Sequence, residues 1–408
     1  MRTTVAIDPT GNIDWEALRP ESDFLYRVIA DEGRAVLGVG VKAWVEAPEF
    51  DGAGAAKDWY FGALEYEWTG ALDRASARTP SPRPSWFIPK WVLEWTKGQV
   101  LLHAEEQELT EAMHRVDELL ARRTCEGATR SFPWTLCTDR EAYIAQVHTL
   151  LKHIQRGDIY EINYCIERTT PAVGFDPFQA FARSLANSRA PFAGFHRRGD
   201  RFALCASPER YLAFRGNTVK GQPMKGTRPR SLDPMKDRAL ALELAADPKE
   251  RSENIMALDV MRNDLSRIAA SRTVIVDALC EVIPFPHVHQ MISTVSATLG
   301  EGYTPYDAVR ASFPMASMTG APKIRAMQLI ESAELGTRGL FSGSLGFFAP
   351  DGTGDLNVVI RTALFDADQE RISLRTGSAI TARCEPEREW EECTLKARSV
   401  IEALDHVA

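Results

Sequence analysis

Tyr211-Leu-Ala-Phe-Arg-Gly-Asn-Thr-Val219-Lys-Gly-Gln-Pro-Met-Lys225-Gly-Thr-Arg-Pro-Arg230 is the stretch on which the reading of this chain turns. Its first nine residues alternate and are rich in aromatic and β-branched side chains, which predicts a strand. Gly221, Pro223, Gly226 and Pro229 then bracket one lysine in a span too irregular for a helix, so a rigid turn is predicted. A lysine fixed on such backbone can be desolvated, its pKa lowered and its amine made nucleophilic. A solvated surface lysine among arginines fits the same letters. The rest of the chain decides between them.

The 408 residues are 44% hydrophobic and 25% charged, a globular composition long enough for one large core or two coupled subdomains. A net charge of −8 argues against nucleic acid or an anionic membrane as partner, and an anionic substrate would need local arginine, lysine or metal. Seven cysteines are scattered without a C-x-x-C spacing, which predicts free buried thiols rather than disulfides or a zinc site. The N-terminus lacks the apolar stretch of a signal peptide, and no apolar run approaches the ~20 residues needed to span a bilayer. A cytoplasmic location is expected.

Residues 1–130 read as β-rich, with Arg34-Ala-Val-Leu-Gly-Val-Gly-Val, Trp59-Tyr-Phe-Gly-Ala-Leu-Glu-Tyr, Trp86–Trp95 and Gln99–His103 as strands. Thr79-Pro-Ser-Pro-Arg-Pro-Ser is a loop signal, and 105–123 reads as a charged helix. Thr138-Asp-Arg-Glu141 reads as a capping box opening a helix with Tyr143, Val147, Leu150, Leu151 and Ile154 on one face, stopped by Gly157. A buried strand, Ile159–Ile166, follows. Residues 131–408 are denser in motifs and are expected to carry the chemistry.

Five constellations stand out. Ser207-Pro-Glu209 ends a strand, where a half-buried carboxyl with a raised pKa suits a general acid, or a turn simply exposes it. Glu253-Asn254 opens an amphipathic helix with Leu258, Met261, Leu265 and Ile268, where a carboxylate also complements the helix dipole. Thr319-Gly-Ala-Pro-Lys323 enters a helix carrying Ile324, Met327 and Ile330. Proline at its first position would leave amides aimed at an anion, or the stretch is an ordinary helix entry. Gly343-Ser-Leu-Gly and Asp355–Thr362 read as adjacent strands, the second ending in Arg361, which if buried needs a carboxylate. Thr376-Gly-Ser-Ala-Ile380 is a small-residue strand end before a terminal helix. There Glu389 and Glu392 share a face and Lys396 follows, either as surface ion pairs or as a hard-cation site shared with Glu253.

In their order and wording these motifs resemble the chorismate-utilising enzymes: anthranilate and aminodeoxychorismate synthases (component I) and the isochorismate and salicylate synthases. The resemblance covers roughly residues 138–404, through Gly157-Asp-Ile-Tyr-Glu-Ile-Asn, Ser-Pro-Glu209, Pro-Met-Lys225-Gly-Thr-Arg-Pro, Glu253-Asn254, Arg262-Asn-Asp-Leu, Phe285-Pro-His-Val-His289, Thr319–Lys323, Ile360-Arg-Thr and Glu389-Trp-Glu-Glu392. It implies an α+β fold: two facing β-sheets with helices packed outside and the active site in a cleft between subdomains, residues 1–130 being a divergent region contributing to the same sandwich. It also implies that Glu253 and Glu392 hold Mg2+, which anchors the ring carboxylate of chorismate. Arg361 and the backbone at Gly377, Ser378 and Ala379 would hold the enolpyruvyl carboxylate. Thr319, Gly343 and Lys396 would line the pocket, His289 would lie near the ring, and Glu209 would protonate the departing 4-hydroxyl.

Branches of the family differ at Lys225. Anthranilate synthases usually carry alanine there and aminodeoxychorismate synthases lysine, so the resemblance implies amination at C4, with Lys225 attacking C2 and ammonia completing the exchange. Burial near Mg2+ would lower the lysine pKa. Glu161 stands where water-using branches have a base lysine and amine-using relatives typically have glutamine. Gly-x-Cys-x-Gly is absent, so a glutamine amidotransferase subunit is the expected ammonia source, and with no lyase region after 404 the expected product is 4-amino-4-deoxychorismate, on the route to 4-aminobenzoate and folate. The competing expectations are anthranilate synthase component I, an inactive scaffold subunit, and a phosphate-binding module built on Thr319–Lys323.

Overall fold

A computed structural model describes residues 2–7, 13–68, 85–120 and 131–405. Residues 79–84 of the loop predicted at 79–85, the end of the helix predicted to 123 and Cys125 lie outside them, and Ser85 begins a strand. Hydrogen bonding runs unbroken through two arms of antiparallel strands. The first, read across the sheet, is Arg2–Ile7, Gln99–Glu105, Ser85–Thr96, Arg34–Val45, Asp23–Ile29, Gly194–Arg198, Arg201–Cys205, Thr362–Asp366, Arg371–Thr381 and Glu161–Pro171. The second is Tyr60–Leu64, Ser344–Phe348, Thr353–Asn357, Arg210–Arg215, Thr218–Gly221, Val288–Thr298 and Ile275–Pro284.

The arms face each other. Leu25, Val36 and Cys205 of the first pack in one core with Phe61, Leu345 and Phe347 of the second. The two predicted sheets are thus halves of one ladder, because the long strand Ser85–Thr96 belongs to both. Its start pairs with Tyr60–Leu64 as well as with Trp44 and Val45, while the remainder lies between Arg34–Val45 and Gln99–Glu105. In each arm strands from before residue 106 join directly to strands from after 190, Asp23–Ile29 to Gly194–Arg198 and Tyr60–Leu64 to Ser344–Phe348.

Eight helices cover the outside of the described residues: α1 Leu109–Leu119, α2 Arg140–Gln155, α3 Pro177–Ser188, α4 Pro234–Ala246, α5 Pro248–Ser266, α6 Pro305–Ser312, α7 Lys323–Ala333 and α8 Pro386–Asp405. The periodic apolar faces decide where each docks. Val116, Phe181 and Val400, from α1, α3 and α8, pack on the first arm. Leu258, Met261 and Leu265 of α5 and Val309 of α6 pack on the second. Tyr143, Val147, Leu150 and Ile154 of α2 close over Glu161–Pro171 with Ala326, Leu329 and Ile330 of α7. None of the described helices is long and apolar enough to cross a membrane.

Several local expectations shift. The cap of α2 is Asp139, not Thr138, since its carboxylate accepts from the Ala142 amide at 2.8 Å. Pro322 is the cap of α7 rather than its first residue, and Ile324 is exposed while Ala326 and Leu329 take the core. Arg361 does not end a strand. The strand stops at Asn357, and Arg361 occupies the left-handed region (φ 53°) in the link to Thr362–Asp366. Thr376–Ile380 is strand interior. Of the six described cysteines, all free, Cys137 is exposed and Cys384 half-buried, against the expectation of burial.

One buried cation knits the site end of this fold. Arg338 is held by Glu334 at 2.6 and 2.8 Å and donates to the carbonyls of Met318 (2.7 Å) and Asn163 (2.8 Å). Arg338→Met should cost about 3–5 kcal/mol in denaturant unfolding, because it strands the buried Glu334 charge. Glu334→Gln in the same background should recover part of that loss.

Candidate active site

The predicted turn around Lys225 is instead a strand. Met224–Pro229 continues the line of Thr218–Gly221 along Val288–Thr298, broken only at Gln222-Pro223. The break is clamped: the Pro223 carbonyl accepts from the Ser293 amide at 3.1 Å, and the buried Asn254 side chain donates to the Met291 carbonyl at 3.2 Å. That gives the Asn254 of the Glu253-Asn254 motif its task, and it fixes the backbone that carries Lys225.

From this strand Lys225 reaches across to the last strand of the first arm. Its Nζ donates to Glu161 Oε1 at 2.6 Å, so one ion pair joins the two arms. The lysine side chain is 10% exposed and the glutamate 5%. Burial pulls the lysine pKa down, but Glu161, Glu253 and Glu209 outweigh it and the net shift is upward. Burial acts in the expected direction, and the three carboxylates outweigh it, which favours the ammonium.

Glu209 lies just before the strand Arg210–Arg215 and is buried. Burial pushes its carboxyl up to about 7, outweighing the pull of Ser317, Lys225 and the Met224 amide. A carboxyl at that value is protonated in part near neutrality, the condition a general acid needs. Arg210 beside it is anchored by Asp31 at 2.7 and 2.9 Å, Asp355 at 2.7 Å and the Gln222 side chain at 2.8 Å. The Glu209 and Lys225 segments are thereby tied to one post.

Helix α5 starts at Pro248, capped by Asp247, which places Glu253 in its second turn. The residue is 5% exposed, and its Oε1 accepts no hydrogen bond. Burial raises its pKa to about 7 against the pull of Lys225 and Lys249. A buried carboxylate oxygen without a donor fits a cation, and the Lys249 ammonium already stands beside it. Lys249 Nζ is 3.6 Å from Glu253 Oε1 and 3.1 Å from Glu389 Oε1, with Glu392 also acting on it. Glu392 itself pairs with Lys396 at 2.6 Å. Among the described residues no group of three or more His, Cys, Asp or Glu is arranged to hold a metal ion. Two carboxylates with water and substrate oxygens suffice for Mg2+, so Glu253 and the α8 acids fit that ion.

The other predicted residues divide. Lys396 donates to the Gly377 carbonyl at 2.9 Å, and Arg361 donates through Nη1 to the Lys396 carbonyl at 3.1 Å and the Ser399 hydroxyl at 2.6 Å. Arg361, Gly377, Glu392 and Lys396 are therefore one connected group. The carboxylate expected opposite Arg361 is replaced by a carbonyl and a hydroxyl from α8. Ser378 meets the Tyr143 hydroxyl at 2.9 Å, and Ala379 pairs with Asn163, whose amide donates to the Thr319 carbonyl at 2.8 Å. The Thr319 hydroxyl turns inward to the Met315 carbonyl at 3.1 Å.

Two residues are joined to other parts of the molecule. His289 Nε2 meets Asp237 of α4 at 3.0 Å, beside Arg230, and not the Lys225–Glu161 pair. Gly343 is pressed against the Leu64 carbonyl, where no side chain fits, and its own amide and carbonyl are taken by Leu340 and Val359. Lys323 likewise has no room for a phosphate. It pairs with Asp264 of the Arg-Asn-Asp-Leu motif and donates to the Ser312 carbonyl at 2.8 Å. Lys249 was not singled out by the sequence reading, although it precedes Glu253 by one helical turn. Its signal was the i, i+4 spacing to that glutamate.

Residues 26–402 match the family described as chorismate binding enzyme. The chain belongs to that family. The family match begins well before residue 138, where the legible motifs start. The chain is 40% identical over 275 residues to an aminodeoxychorismate synthase of Streptomyces griseus, covering 67% of this chain and 38% of that protein. It is 39% identical over 266 residues to anthranilate synthase component 1 of Thermus thermophilus, covering 65% of this chain and 57% of that one. The matched segment is thus about half of these relatives or less. In fold the chain resembles the menaquinone-specific isochorismate synthase of Escherichia coli, with a TM-score of 0.81 at 18% identity, covering 99% of this chain and 94% of that one.

Proposed function

We propose that this member of the chorismate-binding family is an aminodeoxychorismate synthase component I, converting chorismate and ammonia to 4-amino-4-deoxychorismate. The observation that carries the reading is the buried Lys225 amine, bridged to Glu161 on a braced strand beside the protonatable Glu209. Lys225 starts as an ammonium, and Glu161, in contact with its Nζ, is placed to take the proton that must leave before the nitrogen can attack.

Glu161 takes the Lys225 proton. The Lys225 nitrogen bonds to ring carbon C2, the two ring double bonds move from C1–C2 and C5–C6 to C1–C6 and C4–C5, and the C4–O bond breaks as Glu209 protonates the hydroxyl, which leaves as water. Ammonia then bonds to C4, both double bonds shift back and the C2–N bond breaks, freeing the lysine amine. The proton shed by the new amine restores Glu209, and that on Glu161 returns to Lys225. Mg2+ held by Glu253 and Glu392 would anchor the ring carboxylate and add positive charge beside the lysine. Arg361, with the backbone at Gly377–Ala379, would take the enolpyruvyl carboxylate. Ammonia would come from a glutamine amidotransferase subunit.

The likeness to the Thermus protein keeps a second reading, anthranilate synthase component I, in which amination falls at C2 and pyruvate is lost. Mass spectrometry of products from chorismate, Mg2+ and ammonium separates the two. Aminodeoxychorismate is expected; anthranilate with pyruvate would transfer the chain to the second reading.

A further inference from the structure

Lys249 is a residue of the metal-side cluster to which the chemistry above gives no task. It lies in the first turn of α5, and its side chain leans back onto Glu253, four residues on. Its ammonium stands between two carboxylates that come from different helices, Glu253 of α5 and Glu389 of α8. Those side chains are only 6% and 3% exposed, whereas Lys249 is 38% exposed. Two buried anions facing each other would repel strongly at low dielectric, and here a cation entering from solvent separates them. Glu253 Oε1 accepts no hydrogen bond, so the lysine neutralises it without satisfying it.

We propose that Lys249 is a resident counter-cation, which holds the α5 and α8 carboxylates together in the metal-free enzyme and swings out to solvent when a divalent ion enters between them. Metal binding is then an exchange of one cation for another. The exchange sets the apparent metal affinity and keeps the buried acids from being left as bare charges. The exposed stem provides the way out, and the shared carboxylates provide the competition. This rests on the reading that a divalent ion enters beside Glu253. It does not depend on which product the enzyme makes.

The test uses Mn2+ alone, which takes the same hard oxygen ligands as Mg2+ and is counted by its free-ion paramagnetic resonance signal, without chorismate. Lys249→Met is expected to bind Mn2+ about tenfold or more tightly than the wild type, because two positive charges this close repel by several times the thermal energy. Its metal-free form should melt lower than wild type and regain stability on adding the ion. Lys249→Arg keeps the charge and should bind no more tightly than wild type, with an unchanged metal-free melt. Equal or weaker Mn2+ binding by folded Lys249→Met would overturn the exchange. Glu253→Gln serves as the control: if it binds Mn2+ as well as wild type does, or if wild type binds none, the metal reading fails and the exchange falls with it.

Discussion

Lys225→Ala should lower the turnover of chorismate with ammonium by about a thousandfold or more, as expected when the attacking group of a covalent route is removed. The variant is also expected to be less stable. Glu161 would keep a buried charge without its partner, a change that typically costs about 3–5 kcal/mol. The two effects can be separated. Glu161→Gln in the Lys225→Ala background removes the stranded charge, so stability should return while turnover stays lost. Recovery of both would show that Lys225 mattered only as the counter-ion of Glu161.

Glu209→Gln should reduce turnover by about 10²–10⁴-fold, the range set by loss of a positioned general acid. The wild-type rate should also decline as pH rises through about 7, where Glu209 gives up its proton. The variant should lack that limb. Stability gives an independent check with a definite sign. The buried carboxyl is raised from 4.5 to about 7, so the folded protein holds a proton in that interval which the unfolded chain has released. Stability from this site therefore falls as pH climbs from 4.5 to 7, and the full penalty applies above. Glutamine carries no such penalty, so Glu209→Gln should melt higher than wild type at pH 8 and nearly match it at pH 4. A variant that melts lower at pH 8 would mean that Glu209 is structurally supportive in its charged form.

The sequence exposed whatever depends on local period and spacing. The apolar faces of α2 and α5 could be read because residues three and four apart share one side of a helix, and the alternating strands because successive side chains change face. Lys225, Glu209 and Glu253 were legible as types in a suggestive order. Their state was not. Lys225 is held charged by Glu161, which is 64 residues away, and no local pattern reports such a partner. Arg361 was expected to meet a carboxylate, yet a left-handed link turns it onto the backbone and a hydroxyl of α8. Lys323 looked free to meet an anion because Asp264, its partner, lies 59 residues upstream on another helix. The continuity of the two sheets also escaped the reading, since one long strand looks the same whether it serves one layer or two.

Intact-protein mass spectrometry of the enzyme quenched after mixing with chorismate and Mg2+, with ammonia withheld, tests the central claim most directly. The covalent route predicts a protein species heavier by chorismate less one water, located on Lys225 by peptide mapping, absent from Lys225→Ala and discharged when ammonium is added. Full turnover once ammonium is supplied, with no such species at any quench time and with Lys225→Ala as active as wild type, would contradict it.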